Sequence, residues 1–169
     1  EWRNIFKNCM LGLEIKGMDT EENKEKVMNM LRKYGLYNFR NHYPRQLSGG
    51  MRQRAALVRT LAVEPELLLL DEPFSALDYQ TRLSVGNEVG QILRREKITT
   101  ILVTHDIPEA VSMSDRVIVF TERPAKVKRI YDINFTECKG ERTPMECRNT
   151  LEFGEYFRQI WRDLDAGEE

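Results

Sequence analysis

Three apolar runs limit what this chain can fold into: LLLL at 67–70, TTILVTH at 99–105 and RVIVF at 116–120. The last two are rich in β-branched residues, which suit a pleated strand. Unbroken apolar strands of this kind belong in a parallel sheet covered on both faces. Between the first two lies YQTRLSVGNEVGQILRRE, where Leu83, Val89, Ile92 and Leu93 form a helical stripe. Strand, helix and strand make a β-α-β unit, and DIPEAVSMS supplies a short helix before the third run. KRIYDINF reads as a further, antiparallel strand. The expected fold class is α/β.

The residues ahead of the sheet read as mostly helical. In EENKEKVMNMLRKYGL, Val27, Met30, Leu31 and Tyr34 share one face, and Gly35 is placed to stop the helix. NFRNHYPRQ reads as a loop, because Pro44 disfavours helix in the residue before it. Ser48 is a natural N-cap for a helix that runs through MRQRAALVRTLAVE to Pro65. At the other end, LEFGEYFRQIWRDL places Phe153, Tyr156, Phe157, Ile160, Trp161 and Leu164 on one helical face, expected to pack in the core. The chain divides into a helical part over 1–66, an α/β part over 67–135 and a tail with a helix over 136–169.

Composition narrows the class. At 169 residues, with 41% hydrophobic and 31% charged residues, the chain has the balance of a globular domain. A net charge of -1 offers no broad attraction for nucleic acid or anionic lipid. No apolar run approaches the roughly 18 residues of a membrane span, and the opening does not read as a signal peptide. Cys9, Cys138 and Cys147 are odd in number and lack close metal-type spacing, which fits a reducing, cytoplasmic setting. The chain begins Glu1-Trp2 without an initiator methionine, as a trimmed piece would.

Three clusters carry chemistry. In LSGGMRQR (47–54) a helix N-terminus offers unpaired N–H groups and partial positive charge, Ser48 adds a hydroxyl, and Gly49 and Gly50 let an anion approach the backbone. Taken alone, it is equally a plain capped helix. In LLLLDEPFSALD (67–78) an apolar strand delivers Asp71 and Glu72 to the carboxyl edge of the sheet. One carboxylate there can hold Mg²⁺ and the next can orient an attacking water, or both are simply solvated acids before Pro73. ILVTHD (101–106) delivers His105 to the same kind of edge, where it can contact a phosphate oxygen or serve only structurally.

Together these motifs resemble the ATP-binding subunits of ABC transporters. LSGGMRQR looks like their signature motif, although Met51 stands where glutamine is more usual. LLLLDEP looks like Walker B with its catalytic glutamate, SALD like the D-loop and LVTHD like the histidine switch. The resemblance implies a partial P-loop NTPase fold: a helical subdomain, an incomplete, mainly parallel sheet and a C-terminal helix. It implies Glu72 and His105 as catalytic, Asp71 as the Mg²⁺ ligand, and Ser48, Gly49, Gly50, Gln53 and Asp78 as contacts to an ATP held by a second subunit. EWRNIFKNCMLGLEIKG, SDRVIVFTERPAKVKRIYDINF and EFGEYFRQIWRDL are similar to importers for nitrate, sulfonate and taurine. Partners implied are a second ATP-binding subunit, as a homodimer, and transmembrane permease subunits. Such a protein would be cytoplasmic and held to the inner face of the membrane through the permease. In importers the permease helix docks near residues corresponding to about 1–45; Trp2, Phe6 and Tyr43 could line that groove, with core packing as their competing fate.

A Walker A loop needs G-x-x-x-x-G-K-[ST], and no lysine in this chain directly follows a glycine. The resemblance therefore supplies a donor surface for a partner's ATP and half of a pocket, so the 169-residue chain alone is expected to lack ATPase activity. In the family the Walker A strand lies between the strands resembling ILVTH and RVIVF. Open strand edges there favour swapping, oligomerisation or a rearranged sheet. Two rival functions are a non-catalytic scaffold and a chromosome-maintenance ATPase. The second joins its halves through heptad arms, and no such repeat is present.

Overall fold

The computed structural model describes residues 2–138 and 142–165. They form two compact units, 1–68 and 69–169.

The first unit is helical. Helix α1 (Ile5–Ile15) is capped by Asn4, whose side chain accepts from the Lys7 N–H at 2.9 Å, and it buries Ile5, Cys9, Met10 and Leu13. Helix α2 (Glu21–Lys33) is capped by Thr20 and buries Val27 and Leu31, with Tyr34 just beyond, while Met30 is half-buried. Gly35 takes φ +69° and ends the helix, a backbone that side chains rarely adopt. The expected loop contains two short 3₁₀ turns, Tyr37–Phe39 and Pro44–Gln46. Helix α3 (Gly49–Leu61) starts at Ser48 as expected but stops before Pro65, because Ala62 caps it and Glu64 turns into positive φ. Core packing does not claim Trp2 or Tyr43, which are 79% and 42% exposed.

The second unit holds the α/β elements, with β1 (Leu67–Asp71) leading into it. Helix α4 (Tyr79–Glu96) follows, then β2 (Thr99–Val103), α5 (Ile107–Met113), β3 (Arg116–Phe120) and β4 (Val127–Asp132). Strands β1 and β2 pair in one sheet; β3 and β4 pair antiparallel in another, with Val117 opposite Tyr131. Among the described residues no strand joins β2 to β3. The expectation of strands buried on both faces is corrected accordingly: each sheet covers one face, leaving Leu69 67%, Val103 54% and Phe120 54% exposed.

Two further helices close the second unit. Helix α6 (Pro144–Arg148), which the sequence reading did not anticipate, packs against α4 so tightly that a Cβ on Gly90 would lie 2.6 Å from Pro144 Cγ. Helix α7 (Leu151–Asp165) sets Ile160 into a core of Ile107, Val111, Val117, Val119, Tyr131 and Ile133. Phe153, Tyr156 and Phe157 pack against that core, but Trp161 and Leu164 do not complete the expected face; both are about half exposed. Asp163 anchors the helix, accepting from the Tyr131 hydroxyl at 2.6 Å.

Candidate functional site

The first candidate element is the start of α3. Ser48 Oγ accepts the Met51 N–H at 3.3 Å, so the third helical position is capped by the chain itself. The N–H groups of Gly49 and Gly50 come earlier in the first turn and have no intrahelical carbonyl to bond. Arg52 fixes the approach to this turn by donating to the Leu47 carbonyl at 2.7 Å, and Gln53 is half-buried one residue on. Ser48 is exposed and its hydroxyl keeps a second lone pair and a proton for another partner. Such a terminus fits an anionic phosphate.

The second element joins the carboxyl ends of β1 and β2. Asp71 is exposed at the last position of β1. Glu72 follows with φ +44°, a left-handed conformation that costs a non-glycine residue of order 1–3 kcal/mol. Its N–H donates to the Val103 carbonyl at 2.9 Å, which fixes the turn against β2. The strained backbone aims the carboxylate at His105: Glu72 Oε1 accepts the His105 N–H at 2.9 Å and lies 2.7 Å from His105 Nδ1. The side-chain bond to His105 holds the Glu72 carboxyl below the usual carboxylate range, with the ring's charge and Arg82 adding to the effect and desolvation opposing it. The same bond, with the carboxylate's charge behind it, raises His105 above the ordinary imidazole value. The two sequence-predicted catalytic residues are thus brought into one hydrogen-bonded pair.

Behind the pair lies a cluster that the sequence reading missed. Glu109 is buried, accepts the Thr104 hydroxyl at 2.9 Å, and sits 3.9 Å from Arg82 Nε; burial pushes its carboxyl pKa up. Arg82 also reaches Asp106 at 3.4 Å, and Asp106 caps α5 by accepting the Glu109 N–H at 2.9 Å. The sequence marks Asp106 as a helix start but carries no sign that the Glu109 carboxylate turns inward to Thr104 and Arg82. A cleft of about 420 Å³ opens beside His105, walled by Ile107, Pro108, Phe157 and Trp161.

Asp78 is occupied structurally. Its carboxylate caps α4 by accepting the Thr81 N–H at 3.0 Å, and the bonds to Thr81 lower its pKa. Among the described residues no group of three or more His, Cys, Asp or Glu converges on a metal position. Mg²⁺ nonetheless needs only one or two carboxylates when substrate phosphates and water complete its shell, and the exposed carboxylate of Asp71 is a donor of that kind. No helix among the described residues is long and apolar enough to cross a membrane.

Known proteins bear on both elements. The family described as ABC transporter matches residues 2–75, a span that contains the start of α3 as well as Asp71 and Glu72. An uncharacterized ABC transporter ATP-binding protein of Bacillus subtilis (strain 168), YtlC, is 45% identical over 165 residues, covering 98% of this chain and 63% of that protein. The nitrate import ATP-binding protein NrtD of Synechocystis is 40% identical over 163 residues, covering 94% of this chain and 60% of that protein. The chain therefore spans less than two thirds of the length of these relatives. Among solved structures, the dimeric structure of MJ0796, a bacterial ABC transporter cassette, superposes with a TM-score of 0.61 at 31% identity over 79% of this chain and 58% of that one.

Proposed function

The chain belongs to the ABC transporter family of ATP-binding proteins, and from that premise we propose that it is the signature-bearing portion of the ATPase subunit of an importer of the nitrate, sulfonate and taurine type. The observation that carries the reading is the Glu72–His105 pair at the carboxyl ends of β1 and β2.

Each side chain has a task in that reading. Ser48 and the N–H groups of Gly49 and Gly50 grip the terminal phosphate of an ATP bound to a second copy, and Gln53 and Asp78 are each further contacts to that ATP. Asp71 would hold Mg²⁺. Bound Mg²⁺ supplies charge neutralisation on the phosphates, as in other phosphoryl-transfer sites. Glu72 orients the attacking water; its lowered pKa keeps the carboxylate ionised and able to accept a hydrogen bond at neutral pH. His105, raised by its partner, carries more positive charge near neutrality and can donate to a phosphate oxygen.

The partners are a second ATP-binding subunit and a permease, with Trp2, Phe6 and Tyr43 near the permease groove. The location is cytoplasmic, peripheral on the membrane's inner face. Relatives at 40% identity are named for taurine and for nitrate, and in this reading other subunits select the solute.

The test is turnover by the protein made from its whole reading frame. Glu72→Gln is expected to lower ATP hydrolysis at least about 100-fold while leaving MgATP binding intact, since positioning of the water is lost and the phosphate contacts are not. The 169-residue chain alone is expected to show no steady-state hydrolysis. Unchanged turnover in the variant would remove Glu72 from the mechanism.

A further inference from the structure

Cys138 and Cys147 stand nine positions apart in sequence, and the fold brings their Sγ atoms to 3.8 Å as free thiols. Both sides of the pair are held in place. Cys147 is buried on α6, a helix started by a reciprocal Thr143–Glu146 capping box and pressed onto α4 at Gly90. Arg148, the next residue, reaches the Ser112 hydroxyl on α5 at 3.4 Å. Cys138 is half-buried in the segment after β4, next to Glu137, whose carboxylate accepts the Leu151 N–H at the start of α7 at 3.2 Å. Thr136 donates its N–H to the Glu152 carboxylate at 2.9 Å. The cysteines therefore sit where the β4 exit, α6 and the first turn of α7 meet.

We propose that Cys138 and Cys147 are a modification site that closes to a reversible intramolecular disulfide under a peroxide oxidant. A disulfide needs about 2.0 Å between sulfurs, and side-chain rotation at the half-buried Cys138 can cover the remaining gap. The Cys138 thiolate attacks one oxygen of hydrogen peroxide, the O–O bond breaks, hydroxide leaves, and Cys138 becomes a sulfenic acid. The Cys147 sulfur, giving up its proton, then attacks the Cys138 sulfur and water departs. Two thiols and one peroxide yield one disulfide and two waters. Cys138 reacts first because it is the accessible member of the pair.

Burial, more than the local charges, holds this site in reserve. Desolvation first, then the hydrogen bond and charge of Cys147 and the charge of Glu146, push the Cys138 thiol up to about 11, against the opposing pull of Arg142. The thiolate is therefore scarce at neutral pH, and oxidation should accelerate about tenfold per pH unit below that value. Cys9 serves as the internal control: it is buried in the first unit, 3.6 Å from the Ala55 carbonyl, and burial pushes its pKa up to about 12.

The purified protein, treated with hydrogen peroxide at pH 7 and pH 8.5, blocked with iodoacetamide in denaturant and digested without reduction, should yield a peptide pair joined through Cys138 and Cys147. Cys9 should be recovered alkylated, and the cross-link should form faster at the higher pH. Thermal melting should rise by about 5 °C on oxidation and fall back with dithiothreitol, because the bond restricts the unfolded chain. Cys138→Ser should abolish both the cross-link and the shift while keeping the melting temperature of the reduced protein. Sulfinic acid at Cys138 without a cross-link, bonds to Cys9 or between molecules, no oxidation at all, or an equal thermal shift in Cys138→Ser would each overturn the proposal.

Discussion

Glu72 occupies a backbone region that side chains avoid, and its carboxylate is committed to His105. That commitment has a sign in pH. The pair's interaction is strongest where Glu72 is ionised and His105 protonated. It is lost as pH falls through a Glu72 pKa held below 4.5, and again as pH rises through a His105 pKa held above 6.5. His105 is 78% exposed on its side chain, so the pair governs ring protonation far more than stability. NMR titration of the His105 ring should give a midpoint above 6.5 that drops back towards 6.5 in Glu72→Gln; an identical midpoint in both proteins would mean the contact is not made in solution. The positions of Ser48, Asp71, Glu72 and His105 were legible beforehand, because each lies at or just past the end of an element that periodicity and capping reveal. Glu109 was not, because burial of a carboxylate depends on Thr104 and Arg82 arriving from other elements. The Cys138–Cys147 contact was hidden for the same reason: a spacing of nine carries no local signal, and α6 is too short for its period to be read.

At the scale of elements, helices were read well where a cap and an apolar stripe agree. Thr20, Ser48, Asp78 and Asp106 each start the helix that follows by accepting a backbone N–H. Strand positions were equally readable, but strand burial was not, since it depends on what covers the sheet. Helix α7 shows the limit: periodicity predicted six core residues, and of these the fold fully buries Ile160, half-buries Phe153, Tyr156 and Phe157, and leaves Trp161 and Leu164 exposed. Ile160, 2% exposed among β3, β4 and α5 residues, should cost about 2–4 kcal/mol when truncated to alanine. Leu164, 54% exposed, should cost under about 1 kcal/mol for the same change. Urea unfolding of the two variants separates them, and equal losses would show that the helix docks by a different face.

At the scale of the whole molecule, the exposed apolar faces become the dominant property. Leu69 on β1, Ile101 and Val103 on β2, Ile118 and Phe120 on β3, and Ile130 on β4 are each about half exposed or more. Apolar surface of this extent on two short sheets is unusual for a chain that stays single. Among the described residues each strand has a single strand neighbour, and an open strand edge is a template for pairing with another copy. The net charge of -1 supplies little repulsion to hold copies apart near neutral pH. The 169-residue chain is therefore expected to associate as concentration rises, with light scattering giving a mass that climbs above that of one 19.9 kDa chain. Val103→Lys combined with Phe120→Lys, placed on exposed faces and adding charge, should lower that association without loss of helical signal. A single-chain mass at high concentration, or association indifferent to both lysines, would mean that these faces are not what brings copies together.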